Sequence, residues 1–160
     1  MSKKFKRRII REKVLQILFA NEMNKGSLKF LMDDILKSIS SQPDREFADD
    51  LINKILLHAD ELDDKIKERV KNWEMNRIAL IDRILLRMGV CEMLYFPDIP
   101  PKVSINESIE IAKEYSTAGS SKFINGILDA ILVNEKKSGG IHKQGRGLIE
   151  ESIMKNPEDM

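Results

Sequence analysis

Several features that are common in other protein classes are scarce in this 160-residue chain. It has one cysteine, Cys91, so no disulfide can form within the chain, and we expect a reducing compartment such as the cytoplasm. Eight glycines, five prolines and 6% aromatic residues are few for a β-sandwich. Nowhere do 18 apolar residues run together, so we expect no membrane-spanning helix and no membrane partner. The net charge of +1 indicates no particular partner.

Apolar residues recur at helical spacing along nearly the whole chain, and no segment alternates as a strand would. We therefore predict an all-α fold of about seven helices. The first is predicted over residues 4–23 and the fifth, the most apolar, over residues 76–95. The wide apolar band of the fifth helix places it at the centre of the fold. Asp44 is the predicted N-cap of the third helix, and Ser104 with Glu107 forms a predicted capping box at the start of the sixth.

The sequence changes character near its C-terminus. Residues 1–136 are predicted to form one helical domain, whereas residues 137–160 contain several glycines and no periodic apolar face. We therefore expect 137–160 to be a flexible tail, in which residues 148–154 form at most a transient helix.

Residues that support catalysis or metal binding are sparse. His58 and His142 are the only histidines, and neither has a cysteine or carboxylate cluster at metal-ligand spacing. The glycines of the tail lack the strand–turn–helix context of a phosphate-binding loop. No serine or cysteine nucleophile has a suitable base among the two histidines. We therefore expect no enzyme activity, no metal and no cofactor.

A basic face on the first helix is the most distinctive feature of the sequence. Residues 1–13 carry seven basic side chains and one acidic side chain. Lys4, Arg7, Arg8 and Arg11 follow at i, i+3, i+4 and i+7, so they share one face of the helix. Arginine donates two parallel hydrogen bonds to a phosphate, which favours nucleic acid as a partner. A basic tail that only aids solubility accounts for the cluster equally well, and the residues alone leave both interpretations open.

Four segments, in this order and spacing, resemble the bacterial NusB family over about residues 5–133. They are Arg8-x-x-Arg11-Glu12 with Val14-Leu15-Gln16, Leu85-Leu86-Arg87-Met88-Gly89, Val103-Ser104-Ile105-Asn106-Glu107, and Lys122-Phe123-Ile124-Asn125-Gly126. The resemblance implies an all-helical fold of two packed subdomains, at about residues 1–74 and 75–136. It also implies a non-catalytic antitermination factor that binds boxA-type single-stranded RNA together with NusE, a small-subunit ribosomal protein. These factors join RNA polymerase and other Nus factors and support transcription of ribosomal RNA.

The resemblance further implies which residues bind. With Lys4 added from the basic face, the expected RNA-binding residues are Lys4, Arg7, Arg8, Arg11, Gln16, Ser120, Ser121, Lys122 and Phe123. The expected contacts with the ribosomal protein NusE are Phe19, Met23 and Asp82. The burial habit of phenylalanine favours a different role for Phe123, in core packing beside Ile124 and Ile127.

Three other interpretations remain open at this point. The same helical module occurs fused to ribosomal RNA cytosine methyltransferases, so the chain could be the NusB-like part of such an enzyme. It could instead be a helical protein-interaction module whose basic arm binds no RNA specifically. A homodimer formed through apolar faces is the third.

Overall fold

The computed structural model describes residues 3–24, 26–70 and 75–148. Within these ranges the chain forms seven α-helices and no strand, which confirms the predicted all-α class. The helices are α1 (Lys3–Met23), α2 (Leu28–Leu36), α3 (Gln42–Leu57), α4 (Ala59–Val70), α5 (Leu80–Tyr95), α6 (Pro101–Tyr115) and α7 (Ala118–Ser138). Short 3-10 helices cover Met75–Arg77 and Gly145–Leu148, so the predicted fifth helix starts four residues later as a true α-helix.

A capping threonine marks the start of α7, and a proline in the first turn marks the start of α3. Thr117 caps α7, because its hydroxyl accepts a hydrogen bond from the backbone N–H of Ser120 at 3.2 Å. The prediction that Asp44 caps the third helix is wrong. α3 begins at Gln42, with Ser41 at the N-cap, three residues before the predicted cap. Pro43 lies in the first turn, where a proline removes no helical hydrogen bond.

The predicted capping box at the start of α6 is also wrong. α6 begins at Pro101, whose restricted φ and missing N–H suit the first helical position. Ser104 and Glu107 therefore lie inside the helix, where both are buried. Their side chains bond to other helices: Ser104 Oγ donates to Glu92 at 2.8 Å, and Glu107 accepts from Arg8. These two polar residues connect α6 to α5 and α1.

α5 lies at the centre of the fold, as its wide apolar band predicts, and contacts α1, α3, α4, α6 and α7. Gly89 lets α5 approach its neighbours closely, because a Cβ there would lie 2.8 Å from Leu128 Cδ1 and 3.2 Å from Ser108 Oγ. α4 packs mainly on α5 and α7. The division into subdomains near residue 74 stays a prediction.

Residues 139–148 lie against the end of α5, where a flexible tail was expected. α7 ends at Gly139, which adopts the left-handed conformation with φ of 80°. Lys143 Nζ then donates to the carbonyl oxygens of Glu92 at 3.1 Å and Phe96 at 2.7 Å. The backbone N–H of Gln144 donates to the carbonyl oxygen of Pro97 at 3.0 Å. Burial lowers the pKa of Lys143 to about 8. The remaining tail residues, 149–160, and most of the expected transient helix lie outside the described residues.

Candidate nucleic-acid interface

The arginine face of α1, formed by Arg7, Arg8 and Arg11, turns toward the other helices, with Arg11 buried and Arg7 and Arg8 partly exposed. Leu15 and Leu18 continue this face along the helix, and both are buried. Because helical periodicity keeps these side chains on one side, the arginines enter the same interior as the leucines. Carboxylates from α3, α5 and α6 meet them there.

Arg8 is held by a carboxylate of α6. Its Nε and Nη2 atoms donate to the two oxygens of Glu107, each at 2.8 Å, in a bidentate pair. The Glu107 side chain is only 2% exposed, whereas that of Arg8 is 21% exposed. The hydrogen bonds and the charge of Glu107 raise the pKa of Arg8. Arg8 therefore lies at the border between the interior and the surface.

Arg11 is an interior residue. Its Nε and Nη2 atoms donate to Glu92 at 2.7 and 2.8 Å, and Ser104 Oγ donates to the same carboxylate. A second carboxylate, that of Glu107, lies 3.8 Å from Arg11 Nη1. Burial alone would lower the pKa of Arg11, but Glu92 and Glu107 outweigh that effect and raise it, so the guanidinium stays charged. A side chain 5% exposed and paired in this way joins α1 to α5.

Arg7 lies on an aromatic ring of α3. Its guanidinium carbon is 4.1 Å from the centroid of the Phe47 ring, and Nε is 3.9 Å from Asp44 Oδ1. Burial and the neighbouring Arg11 lower the pKa of Arg7, while Asp44 opposes the change. Its side chain keeps 36% exposure and therefore remains within reach of solvent. The side chain of Lys4 lies outside the described residues.

The start of α7 divides the four residues expected to bind RNA there. Ser120 is buried, and its Oγ donates to Asp82 Oδ2 of α5 at 2.7 Å. Ser121 is half-buried, and its hydroxyl donates to the backbone of the same turn. Lys122 is exposed, and Phe123 is partly buried and packs against the core. Ser121, Lys122 and Phe123 are thus the members with accessible surface.

The structure brings Gln16 of α1 close to the segment that leads into α7. Gln16 Nε2 donates to the hydroxyl oxygen of Tyr115, the last residue of α6, at 3.4 Å. The next residue, Ser116, donates to Ser120 Oγ at 3.0 Å. We call the surface formed by Gln16, Tyr115 and the residues 121–123 the junction. Sequence reasoning missed Tyr115, whose only local signal is an aromatic residue just before the serine- and threonine-rich turn.

The three residues expected to contact NusE differ in their exposure to solvent. Met23, at the end of α1, is 67% exposed, and Phe19 one turn earlier is partly buried. Asp82 is buried under the start of α7. Its Oδ1 atom has no hydrogen-bond partner within the described part of the chain, because only Oδ2 is reached by Ser120. Asp82 thus supports the start of α7 from below.

Residues 3–24, 26–70 and 75–148 contain no group of three histidine, cysteine or acidic side chains placed to hold a metal ion. No helix in the same ranges is long and apolar enough to cross a membrane.

Comparison with known proteins gives matches to one family. The model of the NusB family matches residues 8–133. The chain is 44% identical over 149 residues to transcription antitermination protein NusB of Chloroherpeton thalassium, covering 90% of this chain and 69% of that protein. It is similar to the solved NusB of T. maritima, with 38% identity and a TM-score of 0.74 over 79% of this chain and 89% of that one. A chain in the crystal structure of antitermination factors NusB and NusE with dsRNA is 23% identical, with a TM-score of 0.74 over 84% and 99% of the two chains, and supports the fold alone.

Proposed function

Because this chain belongs to the NusB family, we propose that it is a transcription antitermination factor that binds boxA-type single-stranded RNA together with NusE. The observation that carries the proposal is the family match over residues 8–133, which includes every α-helix at least in part. Two relatives that are each 44% identical to this chain are named transcription antitermination protein NusB, which supports the same role. Binding to nascent RNA would place the protein in the cytoplasm, in a complex with RNA polymerase and other Nus factors. The proposal requires no catalytic step from this chain.

We assign the direct RNA contacts to the junction. Lys122 supplies an exposed cation beside the N-terminus of a 21-residue helix, where backbone N–H groups and the helix dipole also favour phosphate. Gln16 adds an exposed amide from α1, and Phe123 adds the edge of a partly buried ring. Single-stranded RNA offers unstacked bases and phosphates, which match amide, aromatic and cationic groups.

The arginine face contributes in two ways in this proposal. Arg7 and Arg8 keep partly exposed side chains that add positive potential beside the RNA. Arg11 is different, because an interior guanidinium bound to Glu92 cannot reach a phosphate while the pair is intact. We therefore assign Arg11 the role of holding α1 in place.

For the ribosomal protein, we propose that Met23 and Phe19 provide apolar contact area. A methionine that is 67% exposed at the end of a helix is available for burial by a partner. Asp82 would act indirectly, through its hydrogen bond to Ser120, by holding the start of α7. A second copy of this chain that covered Met23 would compete with NusE, so homodimer formation is expected to reduce binding of NusE.

The proposed function is tested by titrating fluorescent boxA-type RNA and a scrambled RNA of equal composition with the protein, in the presence and absence of NusE. We expect a preference for the boxA-type RNA that increases when NusE is present. Affinity should also fall as salt rises from about 50 to about 200 mM, because bound phosphates release counterions. Equal affinity for both RNAs under all conditions would contradict the proposal.

A pair of lysine variants locates the site. Lys122→Met should weaken RNA binding and reduce the slope of log affinity against log salt by about 0.7, the value for one phosphate of single-stranded RNA. Lys67→Met removes an exposed lysine of α4 and serves as the matched control. An equal effect of the two variants would show that only net charge matters at Lys122.

A further inference from the structure

A carboxylate lies among the groups that the proposed function assigns to RNA binding. Glu12 and Gln16 are four residues apart on α1, so they lie one turn apart on the same side of the helix. The Tyr115 hydroxyl interacts with both, as the acceptor of the hydrogen bond from Gln16 and as a partner of the Glu12 carboxylate. Three side chains from α1 and α6 therefore form a cluster, with Glu12 half-buried, Gln16 exposed and Tyr115 half-buried.

The surroundings of Glu12 do not favour contact with a phosphate. Burial and the neighbouring Glu114 raise the pKa of Glu12, while Arg8 and the Tyr115 hydroxyl oppose the rise. An ionised carboxylate at this position would repel the RNA backbone. It can accept hydrogen bonds but has none to donate, so its counterpart in RNA is an N–H group on the edge of a base.

The other two side chains complement such a base. The Gln16 amide both donates and accepts, which suits the paired donors and acceptors of a base edge. The Tyr115 ring packs against the core yet keeps part of its surface accessible, so it can contact the face of an unpaired base. Sequence-specific recognition of RNA usually combines edge hydrogen bonds with aromatic contact in this way.

We propose that Glu12, Gln16 and Tyr115 read one unpaired RNA base that carries an exocyclic amino group, with Glu12 accepting a hydrogen bond from that group. Adenine, cytosine and guanine carry such an amino group, and uracil does not. The inference rests on the proposed RNA-binding function and deepens it. It assigns base selection to Glu12, Gln16 and Tyr115, and binding of the RNA backbone to Lys122.

The test uses the full chain with NusE and boxA-type RNA substituted one position at a time. Each amino-bearing base is replaced by its analogue without the amino group: purine riboside for adenosine, pyrimidin-2-one riboside for cytidine and inosine for guanosine. We expect a loss of about tenfold in affinity at the position that Glu12 reads, within the range of a good base contact. Glu12→Met should bind the natural and substituted RNA alike at that position.

Glu22→Met is the matched control, because it removes an exposed carboxylate from the same helix without touching the cluster. It should keep the tenfold difference. Tyr115→Phe, which retains the ring, should bind more tightly than Tyr115→Leu, with circular dichroism confirming that each variant is folded. The proposal is overturned if Glu12→Met keeps the wild-type discrimination or if Tyr115→Phe and Tyr115→Leu bind equally. A wild-type protein that shows no preference for boxA-type RNA would overturn the proposed function as well.

Discussion

Replacing Arg11 by methionine should destabilise the folded protein strongly, since it removes one half of a buried ion pair. Glu92 is 2% exposed, and without Arg11 its carboxylate would keep the hydroxyl of Ser104 as its one side-chain hydrogen-bond donor within the described part of the chain. Breaking a buried pair by removing one partner typically costs about 3 to 5 kcal/mol. That is a large part of the roughly 5 to 15 kcal/mol by which a domain is stable.

The loss is measured by urea and thermal unfolding, followed by circular dichroism. At roughly 2 to 4 °C per kcal/mol for a protein of this size, the melting temperature should fall by about 6 to 20 °C. Arg69→Met, at an exposed arginine of α4, is the control and should change stability by no more than about 0.5 kcal/mol.

A double variant separates the cost of an orphaned charge from the cost of lost packing. Arg11→Met combined with Glu92→Leu replaces the pair by apolar side chains and should recover most of the stability lost in the single variant. A single variant that loses less than about 1 kcal/mol would refute the reasoning, because it would mean that water reaches Glu92 in the folded state. A double variant no more stable than Arg11→Met would place the loss in packing.

Three further predictions concern other parts of the molecule. Gly89→Ala should cost about 1 to 3 kcal/mol in urea unfolding, because its Cβ would lie 2.8 Å from a buried leucine methyl group. Gly126→Ala should stabilise the helix by up to about 1 kcal/mol, because the added Cβ would have no atom within 4 Å apart from its chain neighbours and the backbone of its own helix. Met23→Gln should leave stability unchanged and weaken NusE binding by roughly tenfold, measured by calorimetric titration. The pKa of Lys143 is lowered to about 8 from 10.5, so this group binds fewer protons in the folded state and its contribution to stability rises with pH between these values. Unfolding of Lys143→Met in the same pH range should lack that rise.

The helical architecture could be predicted because its causes are local. Seven helices and the central position of α5 follow from apolar spacing, since each helix satisfies its own backbone and needs only an apolar face to pack. Helix starts were predicted less well where the same residue spacing fits both an N-terminal cap and contacts with other helices. Ser104 and Glu107 have the spacing of a capping box, yet α6 had already begun at Pro101 and both side chains were free to bond to other helices.

In the candidate interface, some features were predictable from the sequence and others depend on contacts between helices. The family motifs and the presence of Gln16 and Lys122 could be read from the sequence, but their proximity to Tyr115 could not, because Gln16 and Tyr115 are 99 residues apart. Packing of α1 against α6 brings them together. The cluster with Glu12 therefore became visible only in the structure.

The spacing of Arg7, Arg8 and Arg11 determined, without any structure, that they share one side of α1. Only the tertiary structure decided that this side faces inward. The deciding groups are the buried carboxylates of Glu92 and Glu107, which lie 81 and 99 residues from their arginine partners. An arginine can be buried when a carboxylate that is distant in sequence neutralises its charge. The spacing of residues within one helix does not indicate where that carboxylate is.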